Sequence, residues 1–342
     1  MQVALVGVSG YSGMTLYALL KQHPAVDQIN LYGHAGSQPV ALKTVAPMYQ
    51  KETAVIRPFD AQAVMAQNDL IFFATSAGVT SQLALPLIAE NFPVIDLSGD
   101  FRLSNPAQYT KWYHRAAAPA EALAKASYGL ADFNPTLTTY VANPGCYATA
   151  TLLGLAPLVQ QQLINPNSIV VDAKSGLSGA GKKLTPTSQF AMVNDNLQLY
   201  KVNQHQHIPE VMQQLKKWWP AIPAIEFTTT LIPVTRGIMS SIYVKAAQAT
   251  TTATILAAFE QVYGDQPFVQ ILPAGEMPTL KDVIGSNNCA IGVNVNPVTN
   301  TIFVVSVIDN LMKGAAGQAI QNFNAYFNFA PTTGLPTLPV FP

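Results

Sequence analysis

Two cysteines stand in a chain of 342 residues, and one of them has the surroundings of a nucleophile. In Asn143-Pro144-Gly145-Cys146-Tyr147, Pro and Gly enforce a sharp turn, and the residues from Tyr147 onward have the composition of a helix start. Cys146 is therefore expected at a helix N-terminus, where unpaired N–H groups and the macrodipole favour a thiolate. The competing reading is a buried structural thiol. That reading suits Cys289, which opens the apolar run 289–293 with no activating feature nearby in sequence. A thiolate nucleophile also needs a proton acceptor. Of the five histidines, His205 and His207 fall in His-Gln-His-Ile-Pro-Glu, residues 205–210. In an extended backbone both would point the same way, so the pair could equally bind metal, but no third ligand stands at a convincing spacing. Pro209 suits the first turn of a helix, and Glu210 is placed to orient a preceding imidazole. The catalytic candidates are Cys146, His207, His205 and Glu210, against the alternative of polar loop histidines.

Two stretches could hold an anion. Ser98-Gly99-Asp100-Phe101-Arg102 follows a strand-like run, and the Arg102 guanidinium can grip a phosphate or carboxylate through two donors. Residues 175–183, Ser-Gly-Leu-Ser-Gly-Ala-Gly-Lys-Lys, form a glycine-rich loop with backbone donors and two lysines, and it contains Ser178. The loop lacks the Walker spacing, which argues against a nucleotide triphosphatase. Asp100 and Lys183 read as ordinary solvated or paired charges.

A third stretch speaks for a dinucleotide. Gly7-Val8-Ser9-Gly10-Tyr11-Ser12-Gly13 lies between an apolar strand, residues 3–8, and a helical segment, residues 14–22. Glycines there permit a tight turn and let backbone N–H groups approach a pyrophosphate. The spacing is G-x-x-G-x-x-G, more degenerate than the usual fingerprint, and a plain strand-to-helix turn is the alternative. The second strand, residues 28–32, ends in Gly33-His34-Ala35-Gly36-Ser37 without the Asp or Glu that an NAD enzyme places against the ribose 2′-hydroxyl. NADP is favoured over NAD, with Ser37, Lys43 or His34 as donors to a 2′-phosphate, although the expected Arg is missing too. A later strand, residues 69–74, ends in Thr75-Ser76-Ala77-Gly78, which brings Ser76 to the same edge. The cofactor-binding candidates in this region are Gly7, Ser9, Gly10, Tyr11, Ser12, Gly13, Ser37 and Ser76.

These groups must be positioned by a framework that the sequence also outlines. Strands alternate with helices up to about residue 145, including a helical stretch over 80–90 and a strand over 92–97, which is the pattern of a doubly wound, Rossmann-type α/β domain. Beyond it, strand-like segments at 169–173, 227–233, 240–246, 290–295 and 301–308 follow with few helices between them. That second part reads as an α+β domain built on one mixed or antiparallel sheet. A last helix is expected from 313 or 314 to about 327, before a Pro-rich tail ending at Pro342. The apolar fraction of 49% excludes disorder, whereas the charged fraction of 11% is low against the usual quarter. Such a weakly charged surface fits a homo-oligomer. Eighteen acidic and eighteen basic residues balance without basic runs, which argues against nucleic acid as partner. No apolar run is long enough for a membrane span and the start carries no signal-peptide pattern, so a cytoplasmic, reducing location is expected.

In combination these residues resemble the N-acetyl-gamma-glutamyl-phosphate reductase family, relatives of aspartate-semialdehyde dehydrogenase. The carriers are residues 7–13, 98–103, 128–130, 143–147, 175–181, 205–210, 233–237 (Pro-Val-Thr-Arg-Gly), 309–311 and 317–319. The resemblance implies a Rossmann NADP-binding domain over 1–145 plus 310–342 and an α+β catalytic and dimerisation domain over 146–309, with assembly as a dimer or tetramer. It makes Cys146 the nucleophile, His207 the acid/base residue with His205 close behind, and Arg102 and Arg236 ligands of substrate anions beside Ser178. Asn310 is implied as a nicotinamide-side contact, so that the last helix returns to the first domain. The implied reaction is NADPH-dependent reduction of N-acetyl-glutamyl 5-phosphate through a Cys146 thioester, without a metal. Aspartyl or aminoadipyl phosphate as substrate, and a non-redox cysteine hydrolase or acyltransferase, are the alternatives. Two positions depart from the family: Gly99 where Ala is expected, and Lys182 where Arg is usual.

Overall fold

The computed structural model describes residues 1–133 and 136–340; Pro342 of the expected tail lies outside them. The chain forms two compact units, Met1–Pro144 with Ala315–Leu335, and Gly145–Gly314 with the tail from Pro336.

The first unit is built on strands β1 (Gln2–Val6), β2 (Gln28–Tyr32), β3 (Val40–Ala41), β4 (Val55–Arg57), β5 (Leu70–Phe73), β6 (Val94–Asp96), β7 (Ala126–Tyr128) and β8 (Tyr140–Ala142). Their order is β3-β4-β2-β1-β5-β6-β8-β7, and every pair is parallel except β3 with β4. Leu70 to Phe73 are all buried, as a strand covered on both faces requires. Strand order reverses at β1, which places the loop after β1 at the switch point where α/β sheets bind ligands. Helix α1 (Tyr11–Gln22) starts immediately beyond that loop.

The helical stretch expected over 80–90 is two pieces, Thr80–Leu83 and Leu85–Ala89. Pro86 has no N–H to offer the preceding turn, and the helix breaks at Ala84. The expected last helix begins as a π-helical turn, Met312–Ala316, before the α-helix Gly317–Tyr326 in the first unit. This helix buries polar residues. Asn322 donates to the carbonyl of Gly129 (2.8 Å) and to Asn143 Oδ1 (2.9 Å), and Asn324 pairs with His23 Nε2 at 2.9 Å. Phe323 packs between them against Phe72 and His23.

The second unit holds β9 (Val170–Ser175), β10 (Gln198–Tyr200), β11 (Glu226–Leu231), β12 (Ile238–Lys245), β13 (Val269–Ile271), β14 (Cys289–Asn296) and β15 (Thr301–Ile308) in the order β10-β11-β9-β12-β15-β14-β13. The sheet is mixed, with β9–β11 and β13–β14 parallel and the rest antiparallel. Helix α2 (Cys146–Gln160) is buried from Tyr147 to Val159. Pro157 inside it cannot pair with the Leu153 carbonyl, and the Tyr263 hydroxyl takes that acceptor at 2.6 Å. Tyr263 comes from the helix Thr252–Tyr263, which the sequence reading did not single out. Residues 310–314 and the tail from Pro336 also belong here. The tail is tied by Asn287 N–H to the Pro336 carbonyl, Asn288 Nδ2 to the Thr337 carbonyl and Val340 N–H to the Ile284 carbonyl. Cys289 is fully buried against Ser306. Among the described residues, no helix is long and apolar enough to cross a membrane.

Candidate active site

Cys146 is the first residue of α2, with Gly145 as its N-cap in extended conformation. It is half-buried. Close approach is needed behind it, since a Cβ on Gly314 would stand 2.8 Å from that of Cys146. Only glycine fits that place in the π-helical turn.

The two histidines are not extended. His205 stands two residues ahead of a helix, Gln206 has helical backbone angles, and His207 is the first residue of the helix His207–Trp218. The His207 N–H donates to His205 Nδ1 at 3.2 Å, so His205 satisfies one of the donors exposed at this helix start. Its ring packs against Tyr147, Tyr200 and His207 with centroids 4.8 to 5.7 Å apart. Burial, then the neighbouring His207 and Lys201, push the His205 imidazole down to about 2, so it stays neutral. Glu210, three residues into the helix and fully buried, takes the Gly145 N–H on Oε1 at 2.7 Å and faces His207 Nε2 with Oε2 at 4.0 Å. One carboxylate thus spans the turn of the cysteine and the histidine.

Tyr147 and Tyr200 are residues that sequence reasoning passed over. Their hydroxyls are 2.9 Å apart, and burial raises both, Tyr200 up to about 12. A tyrosine after a candidate nucleophile is no signal by itself, and its partner lies 53 positions away.

The loop around Ser178 folds onto Val234 and Thr235: Leu177 N–H donates to the Val234 carbonyl and Ser178 N–H to that of Thr235. Asn310 is buried beside it, donating from Nδ2 to Ser178 Oγ (2.9 Å) and accepting the Gly237 N–H on Oδ1 (2.7 Å). Its side-chain amide therefore fastens the loop of Ser178 to the segment of Arg236. Arg236 faces the buried Asp309 across 3.4 Å, and its Nη2 is buried without a hydrogen-bond partner among the described residues. A guanidinium nitrogen in that condition suits an anion. Among the described residues, no group of three or more His, Cys, Asp and Glu is disposed to hold a metal ion.

In the first unit, a crevice of about 250 Å3 is lined by Gly7, Ser9, Gly10, Gly33, His34, Thr75 and Ser76 among others. Gly7 has φ +93, and a Cβ there would overlap the Ala74 carbonyl; a Cβ on Gly13 would overlap the Gly7 carbonyl. Gly10 meets only ordinary contact. The outer two glycines are thus demanded by the chain, and the central one leaves room for a ligand. Tyr11 and Ser12 open α1, and Ser37 Oγ donates to the His34 carbonyl at 2.7 Å. Arg102 is buried in this unit, with Nε on the Asn143 carbonyl (2.8 Å) and Nη2 on that of Leu97 (2.7 Å). Asp100, expected to be solvated or paired with a cation, is fully buried and collects backbone and tyrosine donors instead.

Comparison with known proteins places both units. Residues 2–139 match the family model for the semialdehyde dehydrogenase NAD binding domain, and residues 146–310 that for the semialdehyde dehydrogenase dimerisation domain. An N-acetyl-gamma-glutamyl-phosphate reductase of Lactiplantibacillus plantarum is 74% identical over 342 residues, and one of Limosilactobacillus fermentum 54% over 344, each covering all of both chains. The fold is shared with a probable aspartate-semialdehyde dehydrogenase of Pseudomonas aeruginosa (TM-score 0.69, 21% identity, 96% of this chain and 98% of that one). It is shared also with the aspartate semialdehyde dehydrogenase of Candida albicans solved with NADP (TM-score 0.66, 15% identity, 93% and 96%). Full-length identity of this order, on top of both domain matches, means that the chain belongs to the N-acetyl-gamma-glutamyl-phosphate reductases of the semialdehyde dehydrogenase family.

Proposed function

We propose that the chain reduces N-acetyl-glutamyl 5-phosphate to N-acetyl-glutamate 5-semialdehyde, releasing phosphate, by way of a thioester on Cys146. The observation that carries this reading is Cys146 at the start of α2 with Glu210 bonded to Gly145 and facing His207. The crevice suits NADPH: its glycine loop admits a pyrophosphate, and no carboxylate at the end of β2 opposes a 2′-phosphate. When bound, NADPH supplies the hydride that reduces the thioester.

His207 takes the thiol proton, and the sulfur of Cys146 attacks the acyl carbon. The carbon–oxygen bond to phosphate breaks, and phosphate leaves with the electron pair. Arg236 and Ser178 hold an anion in the second unit; Arg102 offers a guanidinium in the first. The reduced adduct is a thiohemiacetal oxyanion; its carbonyl re-forms as the carbon–sulfur bond breaks, and His207 returns the proton to the departing sulfur. His205 is the positioning partner of His207 rather than the acid/base, because its Nδ1 already accepts an N–H and its ring stays neutral.

The second unit exposes Leu184, Phe190, Met192, Leu197, Leu199 and Val202 within 19 positions. In a domain of the dimerisation type, this stretch supports a homo-oligomer, a dimer or tetramer in the cytoplasm, which light scattering would count. The test of the chemistry is Cys146→Ser. Turnover should fall at least about a thousandfold with NADPH affinity unchanged; wild-type turnover would remove the covalent route. Assays in the phosphate-dependent direction with the glutamate, aspartate and aminoadipate semialdehydes fix the chain length.

A further inference from the structure

We propose that Asp100 is a positioning residue for the dinucleotide crevice, holding the loop that carries Ser76 in register with the glycine loop. This rests on the reading that the crevice binds NADPH. Asp100 stands in the stretch that also supplies Arg102, yet its carboxylate turns to the loop after β5. Oδ1 accepts the Gly78 N–H at 2.7 Å and the Tyr109 hydroxyl at 2.6 Å, and Oδ2 accepts the Ser81 N–H at 2.9 Å. Its own N–H donates to Ser98 Oγ at 3.2 Å. Three donors converge on one fully buried carboxylate, which therefore fixes both ends of the segment 78–81.

That segment bears on the crevice directly. Thr75, Ser76 and Val79 line it, and Thr75 is bonded to Thr80 at 2.6 Å between hydroxyls. Ala74, at the root of the same loop, donates to the Val6 carbonyl, and its own carbonyl is the atom that forbids a side chain on Gly7. A shift of the loop is thus felt where a pyrophosphate would lie. Tyr109 is in turn covered by Tyr113, ring on ring at 4.6 Å and 11°. A Cβ on residue 99 would overlap that Tyr113 ring, which is a physical reason for Gly99 where the family expects Ala.

Asp100→Asn keeps the shape but turns a donor toward one of the three donors, and Tyr109→Phe removes one donor while leaving the carboxylate. NADPH affinity, measured by fluorescence titration on folded protein, should weaken about tenfold in D100N and two- to threefold in Y109F. Turnover at saturating NADPH should stay within about threefold, a split that general loss of stability would not produce. Unchanged NADPH affinity in folded D100N overturns the proposal; if D100N does not fold, unchanged affinity in Y109F does so. Amide exchange of residues 76–81, faster in Y109F, reads the anchor without ligand. A wild-type chain that fails to bind NADPH would sink the functional reading, and the anchor would then stand or fall on exchange alone.

Discussion

Glu210 offers the sharpest quantitative test of the site, because it performs two tasks that substitution can separate. Its Oε1 holds the Gly145 N–H at 2.7 Å, and its Oε2 stands 4.0 Å from His207 Nε2, both fully out of water. When His207 takes the proton of Cys146, a charge pair forms across that gap. At an effective dielectric of about 20, two unit charges at this separation attract by roughly 4 kcal/mol. Glu210→Gln retains an oxygen for Gly145 and removes the charge, so the protonated histidine loses most of that support. The expected loss in kcat/KM is about 10^2- to 10^3-fold. Glu210→Ala removes the charge and also strands the Gly145 N–H, which costs about 1 to 3 kcal/mol more and loosens the turn that aims Cys146. It should be the slower of the two by about 5- to 150-fold. Single-turnover oxidation of NADPH in the presence of acyl phosphate reads the chemical step directly. Turnover of E210Q within twofold of wild type would refute the electrostatic argument, and equal rates for E210Q and E210A would refute the separate role at Gly145.

Two further predictions concern the first unit. Burial, then the neighbouring Asp100, raises the Asp96 carboxyl to about 6 from the unfolded 3.8, against the opposing bonds from Ser98 and Tyr140. The folded state therefore holds its proton longer, and stability falls as pH rises from about 4 to 6, by roughly 3 kcal/mol from this group. In Asp96→Asn that slope should vanish from denaturant unfolding curves; an unchanged slope would exclude Asp96 as its source. The glycine loop is tested by contrast: Gly13→Ala forces a Cβ into the Gly7 carbonyl and should unfold or strongly destabilise the unit. Gly10→Ala should leave the melting temperature nearly unchanged but weaken NADPH binding, since its Cβ meets ligand space rather than protein. Similar losses of stability in both variants would count against this division of roles.

Much of the framework was legible because it is local. Buried strands such as β5 announce themselves as unbroken apolar runs, and Pro144-Gly145 before Cys146 marks a turn whatever the rest of the chain does. The helix start at His207 was legible through Pro209, but the geometry of the two histidines was not. Periodicity cannot tell that His205 spends its lone pair on the His207 N–H. Asp100 was misread for the same reason: its partners Gly78 and Ser81 are backbone amides about 20 positions away, and backbone donors leave no mark in a sequence. Gly314 would pass for a mere helix-start glycine until Cys146 is found against it, 168 positions earlier in the chain.

The last helix shows the limit most clearly. Gln318, Gln321, Asn322 and Asn324 are all buried on Gly317–Tyr326, where a sequence pattern would predict a polar, solvated face. Burying an amide without partners is costly, and Gln318 bears that cost, with neither Nε2 nor Oε1 hydrogen-bonded among the described residues, so the helix relies on fixed acceptors for its other amides. Asn322 finds them in the Gly129 carbonyl and in Asn143, whose own carbonyl receives Arg102 Nε and whose Nδ2 donates to the Ala315 carbonyl. Asn143 opens the turn that leads to Cys146. The amide helix and the Arg102 segment therefore fix the same residue, and Arg102 has a positioning duty there whatever anion its guanidinium also meets. Replacing Asn322 by a leucine of similar size would satisfy hydropathy and still strand the acceptors, which is why hydrophobic patterning alone misreads this element.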